Sequence, residues 1–142
     1  MADILHKLSI GAPKERVYQA LATREGLASW WTSTTEGDST PGKTLTFRFN
    51  DHLVDMRVQE LQAGSRVAWE CTKATPDWVG TRVTFDLGEE GGRTTLRFGH
   101  RQWGEASDFF AHCSTKWATF LLSLREYVET GKGRPFPHDL VT

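Results

Sequence analysis

The sequence predicts an α+β domain: a curved antiparallel sheet of about six strands wrapped around one long C-terminal helix, with two short helices inserted after the first strand. Three observations predict it. Apolar residues alternate with a period of two in successive segments between Ile4 and His100, the signature of strands with one buried face. The turns between the later segments are short, so neighbouring strands pair antiparallel as a meander. Only residues 107–129 switch to a spacing of three and four over a length that could cover the apolar side of such a sheet.

The elements follow in order. Ile4, His6, Leu8 and Ile10 alternate with Leu5, Lys7 and Ser9, so the first strand carries a histidine on its apolar side. Gly11 and Ala12 break it, and Pro13 suits the first position of a helix, where its missing N–H costs nothing. Val17, Tyr18, Ala20 and Leu21 form a short helical stripe, and a second short helix is expected over Leu27 to Trp31. Adjacent Trp30 and Trp31 diverge by about 100 degrees on a helix, so they cannot share one role. Trp30 is expected as the buried anchor and Trp31 nearer a cavity mouth, with the polar loop Thr32 to Gly42 as a movable cover. The remaining strands present Leu45, Phe47 and Phe49; Val54, Met56 and Val58; Val67, Trp69 and Cys71; Val83, Phe85 and Leu87; and Leu96, Phe98 and His100. In the long helix Phe110, Cys113, Trp117, Phe120, Leu121, Leu124 and Val128 make the buried stripe. Asp108, His112, Lys116, Ser123 and Glu126 read as its solvated face, and Gly131 and Gly133 end it. Residues 131–142 carry prolines and no periodicity, which predicts an extended or frayed tail to a single domain spanning 1–142.

Composition excludes several classes of function. The chain has 142 residues, the size of one domain, and a net charge of −1, which offers no footprint for nucleic acid or an anionic membrane. No stretch approaches the roughly 18 apolar residues of a membrane span, and the N-terminus alternates instead of forming a targeting block. The two cysteines, Cys71 and Cys113, lack the spacing of a zinc or redox motif, which favours a reduced cytoplasmic protein. Asp51, His52 and Asp55 cluster at an expected hairpin, where such residues serve turns, and no further ligand is placed beside them, so no metal site is expected.

The segment IGAPKERVYQALATREGLASWWT, the GlyHis at 99–100, Trp117 in the last helix and SLREYVETGKG near its end resemble the SRPBCC or START-like superfamily, in its branch related to the activator of the heat-shock-protein-90 ATPase. The resemblance covers essentially the entire chain. Lys116 departs from it, since members often carry glycine before that tryptophan. It implies a helix-grip fold with a deep apolar pocket and no metal or organic cofactor. Relatives of that superfamily include lipid carriers, aromatase or cyclase enzymes and chaperone regulators.

Curvature keeps a gripped helix from lying flat on the whole sheet, so a cavity is expected between them. The inward phases nominate Trp31, Phe47, Met56, Trp69, Phe85, Phe98, His100, Cys113 and Trp117 as its lining. His100 and His6 are the candidate acid/base residues, although neither has a motif partner, and a histidine so placed is more often a hydrogen-bonded residue of the core or pocket wall. Trp78 and Trp103 lie outside the strand pattern, as pocket rim or as seals of the core. Three functions follow: a carrier or sensor for a small apolar or aromatic molecule, a cyclase or dehydratase-type enzyme, or a protein-interaction module. A homodimer is compatible with each.

Overall fold

A computed structural model describes residues 1–142. Strand β1 (Ala2–Ile10) is followed by helices α1 (Lys14–Ala22) and α2 (Arg24–Trp30). Six strands come next, β2 (Thr35–Gly37), β3 (Thr44–Phe49), β4 (His52–Gln62), β5 (Arg66–Lys73), β6 (Arg82–Glu90) and β7 (Arg93–Trp103), before helix α3 (Asp108–Thr130). All seven strands form one antiparallel sheet in the order β1-β7-β6-β5-β4-β3-β2. Most of the expected inward residues are buried: Leu45 and Phe47, Val54, Met56 and Val58, Val67, Trp69 and Cys71, Val83 and Phe85, and Leu96, Phe98 and His100; Phe49 and Leu87, and His6 and Leu8 on β1, are only partly buried. Period-two patterning therefore set the faces of the sheet. Arg48, Arg57 and Arg97 point out from the opposite side.

Helix α3 lies on the concave face with Cys113, Trp117, Phe120, Leu121, Leu124 and Val128 turned inward. Ser107 caps its first turn by accepting from the Phe110 amide, and Gly131 ends it in the left-handed conformation at φ 89°, which a residue with a Cβ adopts at a cost. Two polar contacts fasten its edges. His6 Nε2 donates to the Ser114 carbonyl at 3.0 Å, and the Ser123 hydroxyl donates to the Trp30 carbonyl at 2.9 Å. Ser123, expected on the solvated face, is therefore buried as a link between α2 and α3. Gly26 lets α2 approach α1, since a Cβ there would stand 2.6 Å from the Ala20 Cα.

The structure departs from expectation at several places. Residues 32–42 are not all loop: Thr35–Gly37 pairs with β3, Thr35 opposite Phe47, which makes seven strands instead of six. The polar string around it carries no alternation, and only the open edge of β3 recruits it. Pro13 is the residue before α1 and not its first turn, with ψ 154°. The tail is not frayed. Phe136 donates its N–H to the Trp31 carbonyl and accepts from the Ser33 amide, and the Arg134 amide donates to Ser123 Oγ at 2.7 Å. Each contact joins segments about a hundred residues apart or across elements, which local patterning does not encode.

Candidate functional site

A cavity of about 700 Å³ opens at one end of the sheet and helix sandwich. Its walls are the β3–β4 hairpin from Phe49 to Val54, the end of β5 with the loop to Trp78, the first half of α3, and the tail through Phe136 and Asp139. Trp31 closes the inner end. Seven tryptophan and phenylalanine rings line it: Trp31, Phe49, Trp78, Phe109, Trp117, Phe120 and Phe136. They also support one another. Trp31 lies 5.0 Å from Trp117, Trp117 stacks on Trp78 at 6.1 Å, and Phe49 meets Phe136 at 5.3 Å between ring centroids. Such edge and offset contacts hold an aromatic wall in place without polar groups. Polar side chains gather at the rim, where Asp51, His52, Lys73 and His112 are exposed. Lys116 bonds Asp139 of the tail and donates a further bond to the Leu140 carbonyl at 2.7 Å, so the tail is pinned across one side of the opening.

Behind the wall lies a closed polar network. His100 is fully buried on β7. Its Nδ1 accepts from Trp117 Nε1 at 3.0 Å, which leaves the proton on Nε2 to donate to Thr81 Oγ1 at 2.7 Å. The Thr81 hydroxyl in turn donates to the Trp78 carbonyl at 2.5 Å. Every donor meets an acceptor, so the network specifies one neutral tautomer. Burial pushes the His100 pKa down to about 3. A proton added at Nδ1 would confront the Trp117 N–H, which the geometry opposes as well. Burial likewise raises the Cys113 thiol, which lines the cavity, to about 11. Cys71 is raised to about 11 by the same cause and sits in the sheet core.

Residues 11–129 match the family described as Activator of Hsp90 ATPase homolog 1-like protein. The chain belongs to that family. The solution structure of the Aha1 dimer from Colwellia psychrerythraea is similar to it at 43% identity and a TM-score of 0.86, covering 94% of this chain and 100% of that one. The crystal structure of SSP2350 from Staphylococcus saprophyticus shares the fold at 20% identity and a TM-score of 0.77, covering 93% of this chain and 95% of that one. CalU16 from Micromonospora echinospora does so at 18% identity and 0.76, covering 89% of this chain and 73% of that one. No curated protein sequence matches the chain. The SRPBCC helix-grip architecture is thereby established for this family member.

In this member of the Activator of Hsp90 ATPase homolog 1-like family the structure divides the expected lining in two. Trp31, Cys113 and Trp117 reach the cavity. Phe47, Met56, Trp69, Phe85, Phe98 and His100 lie behind it in the packed core, because the inward rings fill the middle of the sandwich and leave space only at its end. Phe85 meets Phe98 at 5.3 Å and Trp69 at 5.2 Å, and Phe98 meets Trp117 at 4.6 Å. His6 is spent on the Ser114 carbonyl and stays away from the opening. Of the two tryptophans outside the strand pattern, Trp78 is cavity wall, while Trp103 seals the core against His100 and Phe110 at 5.0 and 5.2 Å. Trp30 is fully buried and bonds the Ala20 carbonyl through Nε1 at 2.9 Å, whereas Trp31, also buried, faces Phe47, Trp69 and the cavity. Asp51 and His52 stand at the rim, and Asp55 instead accepts from Thr46 at 2.7 Å. Sequence reasoning missed Phe109, His112, Lys116, Phe136 and Asp139. The first three share a helical face with Cys113 and Phe120, so a wider apolar arc on α3 was the available signal; nothing local marks the two tail residues.

Proposed function

We propose that this protein binds a small apolar molecule of aromatic or acyl character in the end cavity, as a carrier or sensor. The observation that carries the reading is an aromatic-lined space of about 700 Å³ with polar groups confined to its rim, the usual chemistry of a small-molecule site. A cyclase or dehydratase-type role needs an acid or base facing the enclosed part of the cavity; the titratable groups Asp51, His52, Lys73 and His112 stand at its exposed rim, and the buried groups offer none. His100 has both ring nitrogens occupied and is held neutral, and the Cys113 thiol is pushed away from the thiolate form. The interaction-module reading is supported by the family match and by the likeness to the Aha1 structure, and by no surface feature comparable to this cavity. Two free, buried cysteines are compatible with a reduced, cytoplasmic setting, and no helix is long and apolar enough to cross a membrane. A homodimer is part of the proposal, supported by the dimeric solution structure of the relative at 43% identity.

Native mass spectrometry of protein purified from its own host tests the binding reading, followed by titration with a panel of aromatic and acyl probes read by tryptophan fluorescence. A retained small molecule, or saturable quenching that Phe120→Lys abolishes in a folded variant, is the expected result. An empty protein that saturates with no probe overturns it.

A further inference from the structure

We infer that the second copy in the homodimer docks on the open edge of β1, extending the sheet across a two-fold axis at Leu5. The inference rests on the homodimer reading above and names the surface that would form it. Strand β1 is an end strand, paired only with β7. None of the backbone hydrogen bonds outside the regular elements engages residues 2–9, so the outer ladder of β1 has no partner from loops or tail. An unpaired edge of this length is a template for another strand unless its side chains oppose pairing. Here they specify one register.

On the convex face Lys7 stands directly opposite Arg97 of β7, and like charges so placed repel. Neither takes part in an ion pair. The next residue along that row, Asp86 of β6, is already bonded to Arg66 at 2.5 Å. The row therefore reads Arg66, Asp86, Arg97, Lys7, and it lacks an acid at its β1 end. Leu5, the neighbouring outward residue, faces Gly99, over which the Arg101 guanidinium lies, and Leu5 remains 58% exposed. Antiparallel self-pairing with Leu5 opposite Leu5 of the second copy brings Asp3 opposite Lys7 on both sides of the axis. One register thus covers the bare leucine and supplies the missing acid twice. Shifting the axis to His6 would set Leu5 against Lys7 and Asp3 against Ser9, satisfying neither. Asp3 accepts from the Gln102 amide at 3.0 Å through one carboxylate oxygen and pairs with Arg101 at 3.6 Å through the other; the Arg101 pair is long and exposed, so that second oxygen is the one that would turn to Lys7 of the second copy. On the concave side the α3 residues that share a helical face with Ser114, which His6 contacts, include the small Ala111 and Ala118.

Sedimentation of the full chain over a wide concentration range tests this, with circular dichroism to verify that each variant folds. Lys7→Glu should raise the dimer dissociation constant at least tenfold by placing acid against Asp3, and the swap Asp3→Lys with Lys7→Glu should restore it. Leu5→Cys should form a disulfide-linked dimer on mild oxidation, because directly opposed Cα atoms stand about 4.5–5.5 Å apart, within disulfide reach. Lys7→Cys should not, being out of reach of its own copy, and the buried native cysteines do not compete. A wild-type chain that is monomeric throughout overturns the homodimer reading and this inference together. A dimer that is unchanged in Lys7→Glu, with no cross-link in Leu5→Cys, leaves the homodimer standing and removes β1 as its interface.

Discussion

Acid should destabilise this fold through His100 in a way that one substitution removes. The folded protein holds the ring neutral down to about pH 3, whereas the unfolded chain takes up a proton with the ordinary pKa of 6.5. The sign follows from proton counting: below 6.5 the unfolded state binds more protons, so stability falls as pH falls and is insensitive to this group above 6.5. The slope is about 1.4 kcal/mol per pH unit, which gives a loss of about 3 kcal/mol at pH 4.5. His100→Gln keeps an N–H toward Thr81 and does not titrate, but it gives up the acceptor for Trp117 Nε1. At pH 7.5 that variant should be less stable by about 1–3 kcal/mol, the cost of a buried donor left unpaired. Urea unfolding of both proteins at pH 7.5, 6.5, 5.5 and 4.5 measures the difference, in which titrations common to the two cancel. The gap should close, or reverse, by pH 4.5. Two curves that decline in parallel would refute the argument, because His100 would then be protonated as readily folded as unfolded.

Trp31→Ala should cost about 3–5 kcal/mol in denaturant unfolding and also enlarge the cavity, so any probe that binds the wild type should bind with changed affinity, whereas Trp30→Ala should cost as much stability and leave affinity nearly unchanged. Ser123→Ala removes the donor to the Trp30 carbonyl and the acceptor for the Arg134 amide; a loss of about 1–3 kcal/mol is expected, with faster amide exchange in the tail, and unchanged exchange at Phe136 would contradict the linkage. Cys113, with its thiol raised to about 11, should react with a maleimide at pH 8 far more slowly than an unfolded cysteine, and a ligand in the cavity should slow it further, as followed by intact mass.

The local pattern of this sequence determined which way side chains point. Alternation at Val54, Met56 and Val58 or at Leu96, Phe98 and His100 fixes a strand and its buried face, because a pleated strand has a period of two and each slip would expose every apolar residue. The spacing of Cys113, Trp117, Phe120 and Leu124 likewise fixes α3 and its inner stripe. What those residues face was decided elsewhere. Phe85 and Trp117 both point inward, yet only the packing of rings from four strands determines that the first is filled core and the second cavity wall. His100 became a neutral structural residue because Thr81 and Trp117, from a different strand connection and from α3, arrive at its two nitrogens. The tail is the clearest case. Phe136 and Asp139 complete the cavity through contacts with Phe49 and Lys116 that span some twenty to ninety residues, and no periodicity records a contact made only after the rest of the chain has folded.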